Sequence, residues 1–437
     1  MSILTECKKG NVPHAVAQVS QAEHVATELL REQVAAGKAV VFASKRDITP
    51  VGIGEGLRKK LASIVGTSSA DADLRPVLRK AQTARDAGAT VIIDGSTAGD
   101  VGAIHATLLE EINIPIGICQ SIRVAAQVRR QGRDFVTVEP EQFLAQIEES
   151  AASGCEFLTG PFSITLDLLE MLRSSSRIMP CCNKTNSLMI AWMRRNRREN
   201  PYAEQFDRVL RAARENDKVL CFVLAFRPGC IADAADELQM EEIQQTARLV
   251  RQANEAGVQV EVMSGGHVPL DRIQMLFQFH KQQMPAPIVS FGPLVTDTAI
   301  GYDHAIAAVG QSQALLYGAD MISTITAAEH LALPSEDEVK EACIIARYVC
   351  HSVDVARGLD LQQDREISKA RERLDWTFQL AHSADPQRAE SIRWRSPDVA
   401  ECTLCGDLCA YRTMRAANGL GGKDTKIGHR MRMPETS

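Results

Sequence analysis

What most limits the fold of this chain is an alternation that begins near residue 75: short apolar runs rich in Val and Ile recur between amphipathic helical stretches. The runs lie at 90–94, 114–118, 156–159, 177–180, 219–224, 258–262, 288–291 and 321–324. Helical periodicity falls between them, near 101–111, 139–152, 164–173, 187–214, 236–256, 269–284 and 301–316. Strands that alternate with helices pair in parallel, because each crossover returns the chain to the same edge of the sheet. Eight such units have the size of a closed (β/α)8 barrel of the α/β class; an open, doubly wound sheet is the alternative.

The barrel is expected over 76–334. Residues 1–75 read as an N-terminal α/β cap, with helical periodicity over 22–36, a strand at 39–43 and a glycine loop at 50–56. A lone Gly-x-Gly is weak, so phosphate binding and a plain tight turn both remain readings of that loop. Beyond the barrel, Ser335-Glu-Asp-Glu338 has the capping-box pattern. It opens a helix to about 358; a second over 364–382 completes a helical hairpin within a helical domain, 335–395. A polar linker with Pro386 and Pro397 leads to a Gly- and charge-rich tail, 396–437. Such a tail is expected to be flexible until a metal or partner surface orders it.

A formal net charge of -6 argues against nucleic acid as a partner. Two basic segments, Arg194 to Arg198 and a set comprising Arg412, Arg415, Lys423, Lys426, Arg430 and Arg432, read as solvated faces. No run approaches the ~18 apolar residues of a membrane span, and the first residues hold no apolar leader, so a soluble cytoplasmic protein is expected. Nine of the 12 cysteines are scattered through helix- and strand-like segments and read as reduced thiols.

The other three stand together as Cys402, Cys405 and Cys409. Structural zinc takes four Cys or His ligands, and the tail offers only His429 as a distant fourth. Three thiolates at Cys-x2-Cys-x3-Cys spacing fit a 4Fe-4S cluster with one open iron better. In a barrel, reactive groups belong at the C-terminal ends of strands, where His267 and His330 fall; one divalent metal could take both imidazoles. Asp94 and Arg227 end two further strands. Arg227 suits phosphate or carboxylate, and Thr296, Asp297 and Asp303 read as caps of the helix that follows them.

These residues resemble a known family. The segments Gly292-Pro-Leu-Val-Thr-Asp297, Gly301-Tyr-Asp-His304, Ala328-Glu-His-Leu-Ala-Leu-Pro334, Ser368-Lys-Ala-Arg371 and Leu374-Asp-Trp376, with the terminal cysteines, are similar to the phosphomethylpyrimidine synthases of thiamine biosynthesis. They are similar too to that family's paralogues, the 5-hydroxybenzimidazole synthases. The likeness runs from about residue 22 to 412 and is densest from His267 onward. It implies an atypical radical S-adenosylmethionine enzyme acting on a small-molecule nucleotide, 5-aminoimidazole ribotide. It also implies a 4Fe-4S cluster on Cys402, Cys405 and Cys409, S-adenosylmethionine on the open iron, zinc or iron on His267 and His330, and an external electron donor. The family pattern is a homodimer in which one subunit's tail covers the other's site.

Departures from the thiamine enzymes concentrate in the pocket. Their Glu-Gly-Pro-Gly-His has Met263 at the acidic position, and their Ser-Arg-Gly-Gly-Ser reads Asn183-Lys-Thr-Asn-Ser187. Their Gly-Asp-Gly-Leu-Arg-Pro-Gly has become Val223-Leu-Ala-Phe-Arg-Pro-Gly229, which keeps Arg227 and loses the aspartate. Gly160-Pro161 replaces a histidine, Cys119 replaces a tyrosine, and their best-known cysteine spacing is one residue longer. Losing several polar contacts together removes the selectivity built on them. The expectation is therefore a 5-hydroxybenzimidazole synthase, alone or as a heterodimer with a paralogue, with Asp94, Ser187 and Arg227 as substrate contacts. The alternatives are a divergent phosphomethylpyrimidine synthase and a non-catalytic partner of an active paralogue.

Overall fold

Eight parallel strands close on themselves in the computed structural model, which describes residues 1–396 and 401–418. Strands β1 (Ala39–Phe42) and β2 (Val51–Gly54) form an antiparallel hairpin. The barrel follows as β3 (Lys60–Val65), β4 (Val91–Asp94), β5 (Ile116–Cys119), β6 (Phe157–Gly160), β7 (Val219–Val223), β8 (Val260–His267), β9 (Ile288–Leu294) and β10 (Met321–Ser323). Each strand pairs with its successor, and β10 pairs with β3 to close the ring.

Two strand assignments differ from the sequence reading. The first barrel strand is β3, inside the segment expected to be cap; Lys60 and Ser63 interrupt its apolar run, and Lys60 reaches Glu23 at 2.7 Å. Residues 177–180 are not a strand. The backbone N–H groups of Ile178 and Met179 donate to the Asp233 carboxylate, each at 2.9 Å, in place of a ladder, and Arg177 grips Asp236. The helical stretch expected over 187–214 is broken into Lys184–Asn196, Pro201–Glu204 and Phe206–Glu215. Pro201 opens the second of these, where its missing N–H is harmless.

The hairpin closes one end of the barrel. Phe42 lies 5.0 Å from Phe157, and both join Val40, Ile53, Val91, Val219, Val289 and Met321 in the interior cluster. The Gln259 side chain, just before β8, bonds both the N–H and the carbonyl of Val41. This seals the N-terminal end and leaves the C-terminal end as the open mouth. The glycine loop expected at 50–56 is thus largely strand β2, its backbone spent on pairing with β1 rather than free for phosphate.

The chain forms two compact units, Met1–Val353 and Asp354–Ser437. The second holds the helices Leu361–Glu372, Trp376–Ala381 and Pro386–Arg393, then the cysteine segment and the helix Ala410–Ala417. The helix expected over 364–382 breaks at Leu374, in left-handed conformation, where Asp375 caps the next helix through the Phe378 N–H. Pro397, Lys423, Lys426, His429, Arg430 and Arg432 lie outside the described residues. No described helix is long and apolar enough to cross a membrane.

Candidate active site

A cavity of about 880 Å³ occupies the open mouth. Its walls come from the ends of the barrel strands and the loops after them, including Cys119, Thr159, Lys184, Arg227, Met263 and Glu329.

The structure brings His267 and His330 together there, ring centroids 5.2 Å apart. His267 ends β8 after a register shift, where Gly265 and Gly266 both have positive φ. A Cβ at Gly265 would meet the Phe291 carbonyl oxygen at 2.4 Å, and one at Gly266 the Pro228 carbonyl oxygen at 2.3 Å, so only glycine allows this bulge. The His267 N–H donates to the Pro228 carbonyl, which fixes the ring's base. His330 itself has φ 65°, a conformation that costs free energy in a non-glycine residue and recurs where side chains are held for function.

Each imidazole is also held by a carboxylate. His267 Nδ1 lies 2.7 Å from Asp297 Oδ1, and His330 Nδ1 lies 3.2 Å from Asp303 Oδ1. The carboxylates are tied in turn to backbone N–H groups, Asp297 to Ile231 and Asp303 to Gly301. With Nδ1 engaged, Nε2 of each ring is the nitrogen left for a ligand. Burial holds His267 below its ordinary pKa, against the pull of Asp297, so its imidazole is neutral at pH 7. Two imidazoles oriented by carboxylates, each with Nε2 unengaged, fit a divalent ion, with small molecules filling the remaining positions. Asp297 and Asp303, read as helix caps from the sequence, are the residues that sequence reasoning missed here.

Arg227 lines the same cavity. Its guanidinium sits 4.5 Å from the Phe291 ring centroid, and Nε and Nη1 have no hydrogen-bond partner among the described residues. A buried guanidinium with free donors is a strong receptor for a carboxylate or phosphate. Lys184, at the first position of the helix Lys184–Asn196, adds a second cation to the lining, and Asn183 caps that helix through the Asn186 N–H. Neither of the other two expected contacts lines the cavity. Asp94 accepts the Ser96 N–H and stands 3.4 Å from the His105 Nδ1, in the layer behind the wall. Ser187 is exposed and donates to its own helix at the Lys184 carbonyl; one helical turn separates it from the cavity-facing end of its motif.

In the second unit, Cys402, Cys405 and Cys409 carry free thiols. The backbone N–H groups of Cys405 and Leu404 hold the Cys402 thiol below its ordinary pKa, and the Cys402 and Cys405 sulfurs interact directly. Cys409 is buried. Among the described residues no group of three or more His, Cys, Asp or Glu side chains is gathered closely enough to hold a metal ion. In kind and number the three thiols fit a cluster, whose binding would itself draw them together.

The comparisons agree with this combination. The model of the Radical SAM ThiC family matches residues 2–416. The 5-hydroxybenzimidazole synthase BzaA of Moorella thermoacetica is 39% identical over 417 residues, covering 94% of this chain and 96% of that protein. The phosphomethylpyrimidine synthase of the same organism is 37% identical over 419 residues, covering 94% and 97%. That of Desulfitobacterium hafniense is 37% identical over 419 residues, with the same coverage. A match over nearly the whole chain, in a protein with oriented histidines at a barrel mouth and three cysteines near the C-terminal end of its sequence, leaves one conclusion: the chain belongs to the radical SAM ThiC family, whose chemistry implies a 4Fe-4S cluster and S-adenosylmethionine.

Proposed function

We propose that this chain is a radical S-adenosylmethionine carbon-carbon lyase of 5-hydroxybenzimidazole synthase type. It would convert 5-aminoimidazole ribotide to 5-hydroxybenzimidazole, the lower ligand of cobalamin made without oxygen, alone or with a paralogous subunit. The observation that carries this reading is a cavity that keeps an oriented histidine pair while its wall carries Val223, Met263 and Cys119. Met263 and Cys119 stand where the thiamine enzymes carry polar side chains. A ligand-binding wall loses its old selectivity when such groups go, because each missing hydrogen bond is felt at the partner left behind.

The residues have distinct parts in this reading. Arg227 and Lys184 receive the phosphate of the nucleotide, the first through a rigid fork and the second as a point charge. His267 and His330 hold a divalent ion, zinc or iron, through Nε2. Cys402, Cys405 and Cys409 would hold the cluster, which when bound would supply, from an external donor, the one-electron reduction that cleaves S-adenosylmethionine. The site operates in the cytoplasm, in a homodimer or a heterodimer with a paralogue.

The metal assignment has its own test. Asp297→Asn and Asp303→Asn should each lower metal affinity about 10- to 100-fold, because each removes the carboxylate that orients an imidazole. Metal retained after dialysis against a graded chelator series measures this. Unchanged retention in both variants would remove the histidine pair as a metal site.

The function is tested by anaerobic incubation of the iron-reconstituted protein with S-adenosylmethionine, a reductant and 5-aminoimidazole ribotide, following 5'-deoxyadenosine and the organic product by mass spectrometry. Hydroxybenzimidazole is expected. Phosphomethylpyrimidine would make the chain a divergent thiamine enzyme. Absence of deoxyadenosine with the cluster assembled would exclude catalysis by this protein alone on that substrate.

A further inference from the structure

The barrel interior contains one row of polar side chains among apolar ones. Cys119, Thr159, Cys221 and Glu261 are successive in-register neighbours across β5, β6, β7 and β8. Alternation along β8 puts Glu261 on the same inward face as Met263, two residues nearer the closed end. Glu261 is fully buried, and neither carboxyl oxygen has a hydrogen-bond partner among the described residues. The buried hydroxyl of Thr159 has none either. The Cys221 thiol interacts with both Glu261 and Thr159, yet makes no hydrogen bond of standard geometry to either.

Buried polar atoms without partners are rare in folded proteins and each needs a reason. Here the row has an open end. Thr159 and Cys119 line the cavity, whereas Glu261 stands behind them, out of reach of anything bound there. At this open end Cys119 and Thr159 border the floor, and Thr159, whose hydroxyl is buried and unpartnered, holds the row's oxygen acceptor nearest a bound ligand.

We infer that Glu261 is a positioning residue for the cavity floor: through Cys221 it orients the Thr159 hydroxyl to receive the amino N–H of an aminoimidazole nucleotide. The Cys221 S–H donates to Glu261, the Thr159 O–H turns toward the sulfur, and the Thr159 oxygen is left to accept from the ligand. The row supplies, one layer deeper on the same strand face, the polar anchoring that Met263 cannot. This inference rests on the substrate class proposed above.

The test is equilibrium binding of 5-aminoimidazole ribotide to the reconstituted protein with S-adenosylmethionine and no reductant, by calorimetry. Thr159→Val and Glu261→Met should each weaken binding by about tenfold or more, as expected for a polar ligand group left unpaired in a buried site. Glu261→Gln, which still accepts the thiol proton, and Thr159→Ser should stay within about threefold of the unaltered protein. The ribotide lacking the amino group serves as a second probe, and Thr159→Val should affect it less, since that group is the one received. Unaltered affinity in Thr159→Val and Glu261→Met would overturn the inference, as would Glu261→Gln weakening binding as much as Glu261→Met. Failure of the unaltered protein to bind the ribotide would instead sink the substrate reading, and this ligand assignment with it.

Discussion

Replacing Cys402, Cys405 or Cys409 by alanine is expected to lower 5'-deoxyadenosine formation by about a thousandfold or more, the loss typical when one member of a set that acts as a unit is removed. The prediction follows from the spacing of the three thiols and from what separates Cys402 from the buried cysteines elsewhere. Burial pushes the Cys7, Cys155 and Cys181 thiols up to about 11 and those of Cys119 and Cys343 to about 12, so they stay protonated and inert. Cys402 moves the other way, under backbone N–H groups that also suit the sulfur of a cluster ligand. Iron content and visible absorption after reconstitution should fall in parallel with activity. Cys343→Ala, in the first unit, should leave both unchanged. Undiminished deoxyadenosine in all three tail variants would refute the cluster assignment. Product formation that survives Cys402→Ala only when a paralogue is present would favour the non-catalytic partner reading.

The barrel was legible because seven of its strands are short apolar runs, buried on both faces as parallel strands require. The strand β3 was hidden by Lys60 and Ser63. The apolar pair Ile178-Met179 imitated a strand because nothing local reveals that a carboxylate 55 residues away takes the Ile178 N–H. The helix Gln120–Arg130 escaped notice for a related reason: it buries Gln120, Ser121 and Arg123, so its inner face does not read as apolar. At the site, the turns around His267 and His330 were visible from their glycines and proline. Their pairing with Asp297 and Asp303 was not, since contacts across 30 and 27 positions leave no periodicity. In the motif 183–187, tertiary placement decided which polar residue faces the cavity, and it chose Lys184 over Ser187.

Glu261→Met is expected to make the protein progressively more stable than the parent as pH rises from about 5 to 8. Burial pushes the Glu261 carboxyl from 4.5 up to about 7, so across that interval the folded chain holds a proton that the unfolded chain has released. Proton uptake by the folded state alone means that stability falls with rising pH, and above about 7 the loss is complete. At about 1.4 kcal/mol for each tenfold change in proton activity, the loss is on the order of 3 to 4 kcal/mol. Glu242, likewise raised to about 7 by burial, acts in the same direction. His280 opposes them: burial lowers it to about 3, so its contribution is lost as pH falls from about 6.5 toward 3. Both groups are common to parent and variant, and the difference between the two urea unfolding profiles isolates Glu261. A difference that stays constant over this range would show that Glu261 does not change its proton binding on folding. A difference that grows and then levels off would mean that the chain carries, in the middle of its barrel, a carboxyl that weakens the fold at neutral pH. Stability lost in that way is what a residue retained for its site, rather than for packing, is expected to cost.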